Sequence, residues 1–399
     1  MLVDFTVSNY GPFKDSATLS MVATSAKDNL SSIYKVPGRK ERLLTSAAVF
    51  GPNASGKSYI LEAIYTLKKI VSTTRPESEH IPGYFPFRLS NTTLGAPVEF
   101  CIRLMLDSTI YDYRLSYTSR EITGESLTYH SKNDVITSFG RGTFHGNVDD
   151  NLIRKTTKTS AYLTVAASFN NQICSRVLEE IKGIIYKPSH ANNVHTSLRM
   201  AEEDPRVRED ILSALYSADF GITSFSGEKM NNSDDDDSDN KYNFFNPYRL
   251  YFSHSHPNSD VDSEMTIFPA DIESEGTLEI FAIMGHISRA LRNGHIVIID
   301  EFGSNLHPVL NRWIISLFNN NENKNGSQLI LNTHDLLLMD SKVLRRDQIW
   351  FTNKSHLDGS SELYSLSDFD DVSKKSNYLK LYLYGRFDAV PSIVGRRLP

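Results

Sequence analysis

The sequence predicts an α/β fold with an antiparallel β lobe and a helical insertion. The first observation is an apolar strand, a glycine-rich loop and a helical pattern in succession from Ala47 to Ile64. The second is the return of apolar strands and helices after residue 246, and the third is a different middle region. We therefore divide the chain into an N-terminal lobe (1–168), a helical insertion (169–245) and a C-terminal lobe (246–399).

The elements can be taken in chain order. Alternating apolar and polar residues in "LVDFTVSNYGPF" and "DSATLSMVAT" predict strands at the start. The stretch from Pro97 to His130 has β-branched and aromatic runs between turn residues, which predicts an antiparallel meander. "NQICSRVLEEIKGII" and "DPRVREDILSALYSA" have helical spacing. The C-terminal lobe then shows a helix (Glu275 to Asn293), a strand ending in Asp300, a second helix and a strand leading to His334.

Composition is that of an ordinary folded protein. The chain has 399 residues, of which 40% are hydrophobic and 23% charged, and this length favours two lobes over a single core. No apolar run reaches the roughly 18–20 residues of a membrane span, and no basic start precedes an apolar stretch. Cys101 and Cys174 lack the spacing of a zinc site or a disulfide framework. We expect a cytoplasmic protein with reduced thiols and no membrane partner.

The net charge of −6 is concentrated in one segment. Asp234 to Asp237 and Asp239 lie in "NNSDDDDSDNK", and without these five charges the net charge is −1. We expect Asn231 to Asn240 to form a mobile loop because it has nothing to bury. The basic cluster from Lys35 to Arg42 is compatible with phosphate contacts but is more typical of an exposed loop. Charge therefore leaves DNA possible as a partner.

The loop after the first buried strand matches a phosphate-binding pattern. Gly51, Gly56, Lys57 and Ser58 satisfy G-x-x-x-x-G-K-[ST], between a strand and a helix as the pattern requires. Glycines let backbone N–H groups turn inward, and the N-terminus of the helix adds positive potential. We expect Lys57 to reach the β- and γ-phosphates and Ser58 to bind Mg²⁺. The predicted ATP-binding residues are Gly51, Pro52, Asn53, Ala54, Ser55, Gly56, Lys57 and Ser58.

Two further strand ends carry residues suited to phosphate chemistry. "HIVIIDEF" ends a buried strand in Asp300, which would hold magnesium, and Glu301, which would accept a proton from the attacking water. "LILNTHD" brings His334 to the end of another strand. An apolar run ending in Asp-Glu also fits an ordinary acidic turn. Since the carboxyl ends of parallel strands share one edge, we expect one site that includes Lys57 and Ser58.

This ordered set resembles the ABC-class ATPases related to RecF, Rad50 and SMC proteins. The resemblance covers residues 1–168 and 246–336, and it implies an ABC-type P-loop ATPase head. It identifies Gly51 to Ser58 as Walker A, Asp300 as the Walker B aspartate and Glu301 as the catalytic glutamate. It also places a D-loop at Ser304 to His307 and implies that His334 is the switch histidine, with ATP and Mg²⁺ as cofactors.

A signature motif is implied in "ESEGTLEIF". Ser274 and Gly276 look like the residues that contact the γ-phosphate held by another subunit, so the resemblance implies a homodimer or higher oligomer formed around ATP. Without the family, the same residues are typical of a helix N-cap. No glutamine occurs in "FPFRLS" (Phe85 to Ser90), where a Q-loop is expected, and its position is unassigned.

The short middle region and the tail from Tyr378 to Ile393 resemble compact RloA-like, AbiL-like and OLD-type ATPases of phage defence. Many of these act with a separate nuclease or toxic effector. OLD-type proteins carry a C-terminal Toprim nuclease, whereas only 65 residues follow His334 here. Asp368, Asp370 and Asp371 have Toprim-like spacing but are more typical of a solvated turn. The chain also lacks the long coiled coil of SMC proteins.

Three functions follow from these patterns. The favoured one is an ATP-hydrolysing sensor or scaffold that oligomerises around ATP and controls an effector protein in antiviral defence. The second is a RecF-like DNA-repair ATPase. The third is a nuclease with a metal site in the middle region, suggested by four histidines that are also typical of surface or core positions: His190, His195, His254 and His256.

Overall fold

The computed structural model describes residues 1–26, 28–130, 135–187, 194–218, 221–229, 248–254 and 266–391. The acidic segment 231–240, His190 and His256 lie outside these residues. The strands are β1 (Leu2–Ser8), β2 (Ala17–Ser20), β3 (Ile33–Lys35), β4 (Arg42–Leu44), β5 (Ser46–Phe50), β6 (Val98–Leu106), β7 (Thr109–Tyr117), β8 (Ile122–His130), β9 (Val135–Gly142), β10 (Ile185–Lys187), β11 (Ile222–Lys229), β12 (Tyr248–His254), β13 (Thr266–Pro269), β14 (Ile296–Ile299), β15 (Gln328–Asn332), β16 (Ile349–Lys354) and β17 (Ser361–Ser365).

The α-helices are α1 (Lys57–Ser72), α2 (Asp150–Ile153), α3 (Tyr162–Ser168), α4 (Gln172–Gly183), α5 (Val194–Glu203), α6 (Pro205–Ser217), α7 (Glu275–Asn293), α8 (Pro308–Phe318) and α9 (Tyr378–Leu383). Single-turn 3₁₀ helices occur at Leu30–Ser32, Ala270–Ile272, Leu336–Leu338, Arg346–Gln348 and Leu366–Asp368. Helix α7 has the predicted bounds because both ends are capped. Ser274 accepts a hydrogen bond at its start, and Gly294 adopts a left-handed conformation at its end.

A largely parallel sheet joins the two ends of the chain. Its order is β10-β14-β15-β5-β16-β17, with β17 antiparallel to β16 and the other neighbours parallel. Strands β5, β14 and β15 are buried along their whole length, as expected for a parallel sheet covered on both faces.

Two hydrophobic cores lie on opposite faces of this sheet. In β5, Ala47 and Val49 belong to one core, whereas Ala48 and Phe50 belong to the other. The first core continues into α1, α3, α4 and the antiparallel sheet, and the second into α5 to α8 and strands β11 and β12. The alternation of side chains along a strand therefore places the parallel sheet between two layers.

The predicted meander is part of a six-stranded antiparallel sheet with the order β2-β1-β6-β7-β8-β9. The predicted N-terminal strands extend it, since β1 pairs with β6. Strands β11, β12 and β13 form a small antiparallel sheet, and β3 pairs with β4. The predicted α/β class with an antiparallel β lobe and helices is confirmed. The domain boundaries at residues 168 and 245 stay a prediction.

Two simpler expectations concern membranes and cysteines. In the part of the chain that the structure describes, none of the helices has the length and apolar character needed to cross a bilayer. Cys101 and Cys174 are both free thiols, and Cys174 is buried. Burial raises the pKa of each thiol to about 12, so both are protonated at neutral pH.

Candidate functional site

The loop between β5 and α1 has a backbone shape that depends on glycine. Gly51 and Gly56 have φ angles of 149° and 108°, and Ala54, a residue with a side chain, has φ 61°. A Cβ atom on Gly51 would lie 2.4 Å from the carbonyl oxygen of Thr352 in β16. Positive φ and this close approach both require glycine at position 51, and glycine lets the loop pack tightly against the edge of the sheet.

Side chains within the loop fix it from inside. Ser55 Oγ donates to the Pro52 carbonyl at 2.8 Å and lies 2.5 Å from Thr352 Oγ1. Lys57 is buried, and its Nζ donates to the carbonyl oxygens of Gly51 and Pro52 at 2.9 Å each. Burial lowers the pKa of Lys57, and the nearby carboxylates at the end of β14 oppose that shift. Lys57 is therefore a desolvated cation at the base of the loop.

The exposed part of the loop is short. Asn53 and Ala54 are exposed and Pro52 is half-buried, whereas Ser55, Gly56 and Lys57 are buried. Helix α1 begins at Lys57 and runs for 16 residues, so its N-terminal amide groups are directed toward the loop. The sequence-predicted loop residues thus lie directly before the N-terminal end of α1, which carries positive potential.

Asn332, the last residue of β15, connects the loop to the end of β14. Its side-chain Nδ2 donates to Ser58 Oγ at 3.2 Å and also to Asp300 Oδ1. Its Oδ1 accepts the backbone N–H of Glu301. Asn332 was not selected from the sequence; the available signal was a polar residue at the carboxyl end of a strand whose three central residues are apolar.

Glu301 has a strained backbone at this junction. Its φ angle of 52° lies in the left-handed region that residues with side chains rarely adopt. Asp300 beside it is buried, with 8% exposure. Such strain persists only where surrounding contacts fix it, and it is concentrated at functional sites.

His334 lies two residues beyond β15 and remains exposed. Partial desolvation lowers its pKa, the Lys57 ammonium lowers it further, and the Glu301 carboxylate opposes the shift. Thr333 Oγ1 donates to the Phe302 carbonyl at 2.8 Å, which ties the turn before His334 to the turn after β14. The imidazole is therefore neutral at pH 7, close to both charged groups.

Ser274 and Gly276 lie elsewhere in the same chain. Ser274 Oγ accepts the Thr277 N–H at 3.1 Å, and a Cβ atom on Gly276 would lie 3.0 Å from the Asn305 carbonyl oxygen. Within the described ranges, no hydrogen bond or ion pair joins either residue to the loop from Gly51 to Ser58. The structure thus sets this segment against the turn that precedes α8, with Ser274 exposed.

The oxygen ligands and positive groups at the carboxyl edge of the sheet fit a phosphate chain with Mg²⁺. The Ser58 hydroxyl and the Asp300 carboxylate share one hydrogen-bond donor, so their oxygens lie close together. Oxygen ligands of this kind, with phosphate and water completing the shell, are what Mg²⁺ takes in nucleotide sites. The N-terminus of α1 and Lys57 supply the positive potential that a triphosphate needs.

Of the middle-region histidines, only His195 and His254 lie among the described residues, and their contacts do not form a metal site. His254 Nε2 lies 2.7 Å from Glu273 Oε1, and burial lowers the pKa of His195. Among residues with a described placement, no group of three or more His, Cys, Asp and Glu side chains could hold a metal ion.

The C-terminal acidic turn with Toprim-like spacing contains a surface ion pair. Its Asp371 carboxylate lies 2.7 Å from the guanidinium group of Arg386.

The basic cluster from Lys35 to Arg42 has structural contacts. Arg39 Nε donates to the Ser108 carbonyl at 2.5 Å, and Arg42 Nη2 donates to the Thr24 carbonyl at 2.7 Å. These two guanidinium groups hold loops together. Their contacts do not support a DNA surface here.

Three solved structures of SMC heads are similar to this chain. The SMC head domain from Thermotoga maritima is 13% identical with a TM-score of 0.41, and the match covers 91% of this chain and 98% of that chain. An SMC head bound to the C-terminal winged-helix domain of ScpA has 13% identity, a TM-score of 0.47 and coverage of 91% and 97%. The third is an SMC head with an extended coiled coil, bound to the C-terminal domain of ScpA derived from Pyrococcus furiosus. It is 12% identical with a TM-score of 0.43, and the match covers 96% of this chain and 99% of that chain.

Comparison with curated proteins finds no match. The family described as "AAA domain, putative AbiEii toxin, Type IV TA system" matches residues 46–340. This range is more than half of the chain and includes the loop, Ser274, Asp300 and His334. The chain therefore belongs to this AAA-domain family, and the prediction of a P-loop ATPase family is confirmed.

Proposed function

We propose that the chain binds ATP with Mg²⁺ and hydrolyses it at the carboxyl edge of the parallel sheet. The observation that carries this proposal is the single network of Ser58, Asp300, Glu301 and Asn332 beside a buried Lys57. Membership in a P-loop ATPase family supports the same conclusion.

Each residue has a role that follows from its chemistry. The loop amides and Lys57 bind the phosphates, and Ser58 and Asp300 hold the metal. Bound Mg²⁺ supplies positive charge that neutralises the phosphoryl oxygens. Glu301 orients the attacking water and accepts its proton, and neutral His334 donates a hydrogen bond to the γ-phosphate.

We also propose that a second copy of the chain completes the site. Ser274 and Gly276 contact their own C-terminal lobe and not the loop, so they are available to the nucleotide of another chain. Four large apolar side chains are exposed within three residues of proposed site or D-loop residues: Tyr59 41%, Ile272 62%, Val309 64% and Leu337 47%. In the homodimer or higher oligomer that we propose, the second copy would cover these side chains.

The biological role that we propose is control of an effector in antiviral defence. The matched family description names a toxin and a type IV toxin–antitoxin system, and the sequence resembles compact phage-defence ATPases. We place the protein in the cytoplasm, where ATP-driven association would switch a separate nuclease or toxin. Phage infection of cells that carry the gene and its neighbours tests this role. We expect protection with the parental chain and none with Lys57→Ala; equal protection would contradict it.

The enzymatic proposal is tested with Glu301→Gln. The amide cannot accept the proton from water, so we expect hydrolysis to fall to background while ATP binding remains. Mass photometry should then show an ATP-dependent dimer or higher assembly. Hydrolysis at the parental rate would remove Glu301 from its role. A chain that stays single with ATP and Mg²⁺ would contradict the assembly.

A further inference from the structure

We propose that Asn332 is a positioning residue that sets the magnesium-binding geometry and the backbone of Glu301. This inference rests on the proposed ATPase function. It deepens that function by naming the group that joins the three chain segments of the site.

The Asn332 side chain makes three hydrogen bonds, to three different residues. A carboxamide has two N–H donors and an oxygen that can accept two hydrogen bonds. One amide nitrogen donates to Ser58 and Asp300, which lie 274 and 32 residues away, and the oxygen accepts from the Glu301 N–H. The side chain is 1% exposed, so water does not compete for these bonds.

Asn332 holds Glu301 from both sides. Its side-chain oxygen accepts the N–H of Glu301, and its backbone carbonyl accepts the N–H of Phe302 at 2.9 Å. The left-handed φ of Glu301 needs such fixing contacts, because the extended or right-handed conformation is otherwise preferred. The direction of the proposed water-orienting carboxylate thus depends on Asn332.

A neutral amide suits this position better than a charged group. Elsewhere in the chain, Asp4 and Asp347 are paired with the guanidinium groups of Arg103 and Arg345. Asp300 instead receives this hydrogen bond from an uncharged amide, which would not compete with a metal cation for the carboxylate as a guanidinium would. An aspartate at position 332 would still accept from Glu301 but could not donate to Asp300, and it would repel that carboxylate.

The test measures how Mg²⁺ changes ATP binding, by calorimetry at several Mg²⁺ concentrations and in EDTA. For Asn332→Leu, which is similar in size, we expect the half-effective Mg²⁺ concentration to rise about tenfold to a hundredfold, since orienting partners of metal ligands have effects of that size. Binding in EDTA should stay near the parental value because Lys57 and the loop amides are unchanged. The turnover rate should also fall at saturating Mg²⁺, because Glu301 loses its fixed direction.

The matched control is Gln328→Leu. Gln328 is a buried carboxamide at the other end of β15, and it bonds the backbone of Leu2 and Leu44. We expect it to lower stability while leaving the Mg²⁺ dependence of ATP binding at the parental value. The same shift in both variants would show a structural effect of losing any amide from β15 and would overturn the proposal.

A second variant covers the case in which Asn332→Leu does not fold. Asn332→Asp keeps the size and the acceptor but loses both donors, so we expect its half-effective Mg²⁺ concentration to depart from the parental value by about tenfold or more. An unchanged Mg²⁺ dependence in a folded Asn332 variant would overturn the positioning role alone. A parental chain that ignores ATP with Mg²⁺ would instead refute the proposed function.

Discussion

The six-stranded antiparallel sheet and the part of the chain after residue 194 differ in how completely their buried polar side chains are hydrogen-bonded. Within the described ranges, the buried side-chain nitrogens and oxygens without a hydrogen-bond partner all belong to residues after 194: His195, Arg249, Glu279, His286, Asn311, Asn319, Trp350, Ser361 and Tyr378. None belongs to the six-stranded antiparallel sheet, whereas Arg249 lies in the small sheet of β11 to β13. The six-stranded sheet therefore pairs its buried polar side chains more completely than the later part of the chain does.

Glu125 in β8 is a buried carboxylate whose hydrogen bonds stabilise the fold. It is 0% exposed and accepts hydrogen bonds from Arg141 at 2.7 Å and from the Tyr113 hydroxyl at 2.9 Å. It also accepts the N–H groups of Tyr162 and Leu163 at the start of α3, at 2.7 and 2.8 Å. Asp300 has one neutral partner and a strained neighbour instead. Pairing of a buried carboxylate with an arginine and helix N–H groups is typical of a role in the fold, whereas a neutral amide partner beside a strained backbone is compatible with a ligand site.

The largest expected effect is the loss of stability in Glu125→Ala, which tests whether this carboxylate is structural. The change leaves Arg141 and two helix N–H groups without their acceptor, so we expect a loss of about 3–5 kcal/mol in the free energy of unfolding. ATP affinity of the folded protein should match the parent. Urea denaturation and calorimetry measure the two quantities. An unfolding free energy within about 1 kcal/mol of the parent would show that this carboxylate is not structural.

A control for Glu125 is Asp371→Ala. Asp371 forms its ion pair with Arg386 at the surface, where both side chains are more than half exposed. Solvent screens exposed pairs of this kind, so the unfolding free energy should hardly change.

A second prediction uses His286 in α7, on the parallel-sheet side. Burial lowers its pKa to about 4, and the nearby Lys187 and Arg289 charges add to that shift. Between the ordinary value of 6.5 and 4 the unfolded chain binds more protons, so stability falls as the pH falls through this window. By pH 4.5 the loss is about 2–3 kcal/mol. His286→Leu should remove it, which urea denaturation at pH 7 and 4.5 measures; equal losses in parent and variant would contradict the account.

A smaller effect is expected for Ala54→Gly in the loop. The φ of 61° at Ala54 is strained for a residue with a side chain, and glycine removes this strain at some entropic cost. We expect a gain of up to about 1 kcal/mol in unfolding free energy. Gly56→Ala is the matched reverse change, because a Cβ atom there would lie 3.0 Å from Pro12 Cγ at φ 108°. Destabilisation by Ala54→Gly would show that the loop is not strained at this position.

Local patterns predicted much of the fold. The apolar strand and loop before α1 and the bounds of α7 follow from neighbouring residues, because burial on one face and capping are short-range effects. Strand β10 has only three residues, Ile185–Lys187, and too few positions for a periodic pattern. Its place at the edge of the parallel sheet depends on its pairing with β14, which local sequence does not show.

Sequence patterns selected the motif residues of the candidate site but not the residue that connects them, and the roles of the motif residues stay a prediction. Lys57, Asp300 and His334 each follow an apolar strand or a glycine-rich loop, so sequence alone could select them. Asn332 bonds to Ser58 across 274 residues, and only the parallel pairing of β15 with β5 brings the two together. Glu125 was missed for the same reason, since its partners are distant in sequence.

The most direct measurement of the central claim is calorimetric titration of ATP with Mg²⁺ into the parental chain and into Lys57→Ala. Lys57 lies at the base of the loop with its ammonium on two loop carbonyls, so its loss should remove charge-assisted phosphate contacts while leaving the fold intact. We predict binding by the parent and a dissociation constant roughly tenfold to a hundredfold higher in the variant. Equal affinity in both chains, or no binding by a folded parent, would contradict the assignment of this sheet edge as a triphosphate site.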